Sequence, residues 1–234
     1  MLSAKPRNPW PIGTTPEFVG GYTQGFADNA PNTISISLES LTGGLASAPA
    51  ENDIVFIVFA AGTSITTTIG VSGYTEICNI TSVDSFQAKL CVAYKKMTAT
   101  PDTTVTVTWG NIGSGVVAVH VWRGQDLSSP FDATAVTATG VDTGVVNPPA
   151  ISVPRSGSII LCAGCSSAGA YINVTTASYL SNFITLFENR TNDTTGSIGS
   201  VVSQGGVYNP AAWTFSNDDP TYSWCAVTMA LKGA

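Results

Sequence analysis

From Thr33 onward, apolar and polar residues alternate along much of the chain. Ile34, Ile36 and Leu38 take turns with Ser35, Ser37 and Glu39, the period-two pattern of a half-buried strand. Residues 54–61 are apolar at nearly every position, which marks a strand covered on both faces. Residues 74–80 form a shorter strand. In 86–97, Phe86, Ala88, Leu90, Val92 and Tyr94 point one way and Gln87, Lys89, Cys91 and Lys95 the other. Val105, Val107 and Trp109 alternate with Thr104, Thr106 and Thr108, and 116–122 is again almost wholly apolar, with His120 and Trp122 on one face. Residues 124–150 read as a long connection ending at Pro148-Pro149. A second set of strands is expected at 158–163, 170–174, 183–188, 198–203, 212–215 and 222–231. No window keeps the i, i+3, i+4, i+7 apolar repeat of a helix beyond two turns. Many short strands separated by Gly and Pro turns predict an all-β fold, a two-sheet antiparallel β-sandwich or jelly roll.

Residues 1–31 differ from the rest. Pro6, Pro9, Pro11, Pro16 and Pro31 are interleaved with Trp10, Phe18, Tyr22 and Phe26. Proline at this density blocks helix and central strand, whereas disordered segments are usually poor in aromatics. The expectation is an extended N-terminal arm over 1–31, lying on its own sandwich or on a neighbouring subunit, followed by a single β-sandwich domain over 32–234. Trp10, Phe18, Tyr22 and Phe26 are the candidate inter-subunit contacts.

Composition narrows the partners. Only 10% of the 234 residues are charged, against about 25% in an average soluble protein; Thr, Ser, Asn and Gly take their place. The net charge is −6, and Lys95-Lys96 is the only adjacent basic pair. A nucleic-acid partner requires a basic face to neutralise phosphates, so none is expected. Met1 to Trp10 lacks the apolar core of a signal peptide, and no apolar run reaches the roughly 20 residues of a membrane span. The expectation is a soluble chain made in a host cytoplasm, with no membrane partner.

Candidate chemistry is sparse. His120, the only histidine, sits in a strand with no Gly-x-Ser-x-Gly elbow nearby, so it reads as a hydrogen-bonded strand residue rather than as part of a triad. Cys162-Ala-Gly-Cys165 has the spacing of a redox or metal pair. A redox pair sits at a helix N-terminus, however, and zinc needs two further ligands. The odd count of five cysteines reads as small buried hydrophobes in a reducing compartment. Asn217-Asp218-Asp219 reads as a turn before it reads as a calcium site. No cofactor, no metal and no catalytic residue is assigned, and the chain is read as non-enzymatic. Among the aromatics, Tyr171, Tyr208 and Trp213 are the candidates for stacking on a host surface glycan.

Several segments carry a family resemblance. They are Asn52-Asp53 leading into 54–59; Ser72-Gly73-Tyr74-Thr75; the Tyr94-Lys95 strand running through Pro101 to Trp109; Trp122-Arg123-Gly124 through Asp126 to Pro130-Phe131-Asp132; Pro154-Arg155-Ser156-Gly157 with its following strand; and the closing strand from Trp224 to Leu231. In this order they resemble a β-sandwich domain of tailed-bacteriophage virion structural proteins and some bacterial surface proteins, over residues 50–231. That pattern has Gly where this chain has Asn52, Trp where it has Tyr74 and Tyr where it has Trp122.

The resemblance implies a virion structural or adhesive role and supplies no catalytic residue. A freestanding domain with an extended arm resembles a capsid decoration (cement) protein on the outside of the particle. Its expected partners are the major capsid protein or other virion proteins and further copies of itself, a trimer being the expectation. A tail fibre, tip or receptor-binding component is the second reading, and a carbohydrate-binding module the third.

Overall fold

The computed structural model describes residues 13–26, 32–63, 68–83, 87–110, 115–141, 145–167, 174–176, 180–187, 195–215 and 222–234. Every regular element among them is a strand. In chain order these are β1 (Glu17–Phe26), β2 (Thr33–Ser37), β3 (Ile54–Thr63), β4 (Gly70–Val71), β5 (Thr75–Thr81), β6 (Gln87–Lys96), β7 (Thr104–Thr108) and β8 (Gly115–Arg123). There follow β9 (Phe131–Gly140), β10 (Ile151–Ser166), β11 (Val174–Thr176), β12 (Ser181–Phe187), β13 (Thr195–Tyr208), β14 (Thr214–Phe215) and β15 (Trp224–Leu231).

Two five-stranded antiparallel sheets dominate, ordered β1-β8-β3-β6-β5 and β12-β13-β10-β15-β9. The central strand β3 shows why the first sheet lies in the middle of the molecule. Ile54, Phe56, Val58 and Ala60 join Leu90, Val92, Ala118 and Trp122 in a core shared with Leu161, Ala163, Val227, Met229 and Leu231 of the second sheet. Val55, Ile57, Phe59 and Ala61 point the other way into a separate core with Ile36, Val105, Val107 and Trp109. That opposite face is covered by a three-stranded sheet, β2-β7-β4. The first sheet is thus dry on both sides, and burying each Phe, Val or Ile there stabilises by about 1.5–3 kcal/mol. The outer face of the second sheet is covered in turn: Ile160, Cys162, Ala226 and Ala230 pack with Val146, Ile151, Trp213 and Trp224. The all-β expectation therefore holds, and the sandwich-like core carries further layers on both outer faces.

Two segments depart from the sequence reading. Of the expected arm, residues 1–12 lie outside the described residues, Trp10 with them. Glu17–Phe26 is extended and takes the first of the two expected placements, on its own sandwich, but as an integral edge strand paired with β8 from Glu17↔Arg123 to Phe26↔Gly115. The prolines flank this window without entering it, and an edge position tolerates such neighbours. The second departure is β9, which lies within the expected connection 124–150 and pairs with β15.

Candidate functional site

The residues carrying the family resemblance meet in space as joints between strands. At the mouth of β3, the Asn52 backbone adopts φ 67°, the left-handed region that Asn tolerates better than most side chains; this is the position where the family pattern has Gly. The turn delivers the fully buried Asp53 to Arg123 at the end of β8, with Nε 2.7 Å from Oδ1 and Nη2 2.8 Å from Oδ2. Oδ2 also accepts from the Ala50 amide at 2.7 Å. The Arg123 guanidinium is held above its ordinary pKa chiefly by the hydrogen bonds to Asp53. One turn further on, Gln125 donates to the Asn52 carbonyl, and Lys232 pairs with Asp126. Thr14 and Ala234 join the same corner: Thr14 N–H donates to Ala234 O, and Ala234 N–H to Gly124 O.

The remaining motif residues act alike. Tyr94 meets Phe131 edge-on at 4.8 Å. Lys95 pairs with Asp102 at 2.6 Å and lies over the Tyr74 ring. Asp132 accepts from Ser158 Oγ at 2.6 Å and pairs with Arg155 at 3.5 Å. Each ties one strand or turn to another.

His120 is fully buried. Its Nδ1 accepts from Trp122 Nε1 at 3.2 Å, and its ring lies 4.6 Å from that of Phe18. A nitrogen accepting from indole is engaged in holding an aromatic cluster.

Strand parity separates the Cys162–Cys165 pair. Residues three apart on a strand face opposite sides. Cys165 faces the core between the two large sheets, whereas Cys162 faces the outer layer. The cross-strand neighbour of Cys165 is Cys225, a pairing that local spacing does not reveal. All five cysteines are buried free thiols. Burial pushes the thiols of Cys78, Cys91 and Cys162 up to about 12, and burial together with Cys225 raises that of Cys165. Among the described residues, no group of three or more His, Cys, Asp or Glu is placed to hold a metal ion. Asn217, Asp218 and Asp219 lie outside the described residues.

The aromatic candidates divide. Trp213 is fully buried in the outer core, so its ring offers no stacking face, and its assignment as a glycan contact is corrected. Its burial follows from the segment 145–151, which folds over the second sheet: Trp213 N–H donates to Val146 O. Tyr208 is half-buried at the end of β13 and packs against the same core; burial raises its hydroxyl to about 12. Tyr171 lies outside the described residues. Of the arm aromatics, Phe26 is buried and stacks on Trp109 at 4.3 Å, Phe18 packs by His120 and Trp122, and Tyr22 lies against the core under β7.

No family model matches the chain, and neither the curated proteins nor the solved structures yield a match.

Proposed function

We propose that this chain is a bacteriophage virion structural protein, a capsid decoration protein that braces neighbouring capsid subunits from the outside of the particle. Its two five-stranded sheets are read as a jelly-roll-like sandwich. The observation that carries the reading is where the few charges go. Asp53–Arg123, Lys95–Asp102, Asp132–Arg155 and Asp126–Lys232 are ion pairs that tie strands and turns together. The exposed strand positions beside them carry many hydroxyls, among them Thr33, Ser35, Thr104, Thr106, Thr108, Thr134, Thr137, Thr139 and Ser152, suited to broad polar contact. Phe18 and Phe26 are taken up inside the chain and Tyr22 packs against its own core, so of the proposed inter-subunit contacts from the N-terminal region Trp10 remains.

The test is quantitative mass spectrometry of purified particles, with cross-linking. Decoration requires a copy number commensurate with the major capsid protein and cross-links to it. A copy number matching the tail symmetry would favour a tail component, and absence from the particle would remove the virion reading altogether.

A further inference from the structure

We propose that Cys165 and Cys225 are a redox pair that closes into a cross-strand disulfide when the chain meets a small-molecule disulfide such as oxidised glutathione, tying the start of β15 to β10. The chemistry requires no particle, and it is tested on the isolated chain.

The observation is two thiols that strand register sets side by side. Cys165 on β10 lies directly opposite Cys225 on β15. Opposite residues of an antiparallel ladder have Cα atoms about 4.5–5.5 Å apart, within the roughly 4.4–6.8 Å that a disulfide spans. Both side chains face the core between the two large sheets, and the two thiols are within hydrogen-bond reach of each other. The other three are placed apart. Cys162 faces the outer layer and Cys91 the core under the small sheet. Cys78 shares the core of the pair but sits on β5 of the first sheet.

The reduced pair is held by β6. Cys165 Sγ donates to Lys89 O at 3.3 Å and Cys225 Sγ to Ala88 O at 3.2 Å. Closing the bond removes both donors. Ala88 O keeps the Ser82 amide at 2.9 Å, and Lys89 lies within the ladders of β6 with β3 and β5.

The place of the pair in the ladder gives access. Only Ser166↔Trp224 lies beyond it in the β10–β15 register, and Trp224 begins β15. Ladder ends open locally at far less cost than the whole fold. Parting these last two pairs uncovers both sulfurs. Closed, they are 0% exposed, and burial raises the Cys165 thiol. The reactive thiolate therefore forms in the opened end, and opening paces the reaction over hours.

The step is a double thiol–disulfide exchange. One thiolate of the pair attacks a sulfur of oxidised glutathione, breaks its S–S bond and releases one glutathione thiolate. The second thiolate attacks the protein sulfur of the mixed disulfide, forms the Cys165–Cys225 bond and expels the second glutathione. The two thiol protons pass to the two glutathiones, which also take the two electrons that the pair loses. Closure draws the Cβ atoms from the about 4.5–5.5 Å of cross-strand neighbours to about 3.8 Å. The ladder resists this approach, so the bond reopens to a thiol reductant.

The experiment incubates the purified native chain overnight with oxidised glutathione, quenches with acid and alkylates in denaturant. Digestion without reductant and mass spectrometry follow. Two of the five thiols should escape alkylation, the chain should lose the mass of two hydrogen atoms, and one linked peptide pair should join Cys165 to Cys225. Dithiothreitol added to the native oxidised chain should restore all five, and Cys78→Ala should form the same link. Five alkylated thiols after oxidation, a link between any other pair, glutathione retained as the final product, a link that forms only in denaturant, or one that survives dithiothreitol overturns the proposal. The readouts on wild type decide it even where the variant does not fold. None of them involves a particle, so failure here leaves the decoration reading standing, and the converse holds.

Discussion

Arg123 grips both carboxylate oxygens of Asp53, at 2.7 Å and 2.8 Å, where β8 ends and β3 begins. The partners are unequally placed: the Asp53 side chain is 0% exposed, that of Arg123 41%. Removing Arg123 leaves a buried carboxylate with the Ala50 amide, whereas replacing Asp53 leaves a guanidinium that still reaches water. Breaking a fully buried pair costs about 3–5 kcal/mol, and partial solvation of the arginine lowers this. Arg123→Ala is expected to destabilise by about 2–4 kcal/mol, and Asp53→Asn by about 1–2 kcal/mol. Urea denaturation of the two variants checks the order, and a larger loss for Asp53→Asn would contradict it.

Phe26 reports whether the N-terminal strand belongs to the fold. It is 7% exposed, stacked on Trp109 and tilted against Phe59. Truncating a buried Phe costs about 3–5 kcal/mol. Phe26→Ala should therefore lower the stability of the isolated chain by about 3 kcal/mol, measured by denaturant midpoint. A change within about 0.5 kcal/mol, as at surface sites, would show that its ring contributes little to this core.

Asp126 governs part of the acid response. The hydrogen bond from Lys232, then those from the Ser128 hydroxyl and the Ser129 and Ser128 amides, hold its carboxyl well below the usual range. A lowered folded value means that the stabilisation is fully present above the unfolded carboxylate pKa of about 3.9 and is lost as pH falls from there toward the folded value. Asp126→Asn should lower the melting temperature at neutral pH, and the gap to wild type should shrink below about pH 4. A gap independent of pH would rule out this titration as its source.

The thiols set the alkaline limit. Burial raises Cys78, Cys91 and Cys162 from 9.0 to about 12. Between those values the unfolded chain has released protons that the native chain retains, so stability falls as pH rises. The slope is about 1.4 kcal/mol per pH unit for each such thiol. Urea midpoints should therefore decline above about pH 9, and Cys162→Ala should make the decline shallower. Ellman's reagent should leave the native chain unmodified at pH 8 and label all five thiols in denaturant; rapid labelling of the native chain would contradict their burial.

How far the sequence alone reached depended on how much contrast each strand carried. β3 declared itself because both of its faces are buried and every residue from Ile54 to Ala61 is apolar. β6 and β7 did so because one face or both carry a clear apolar row. β9 was hidden: as an edge strand it is largely solvated, and Thr and Ala give neither face an apolar row that a period of two can reveal. β1 was hidden by its flanking prolines, and only the ladder with β8 shows that its aromatics face the core of their own chain. The candidate sites followed the same division. The scarcity of charge and the absence of a nucleophile motif are properties of composition and need no coordinates. The separation of Cys162 from Cys165 across a sheet, the meeting of Cys165 with Cys225, the burial of Trp213 and the grip of Arg123 on Asp53 were decided by tertiary structure. Local periodicity encodes burial, whereas the partner of a strand or a side chain lies far along the chain and is selected only when the sheets close on one another.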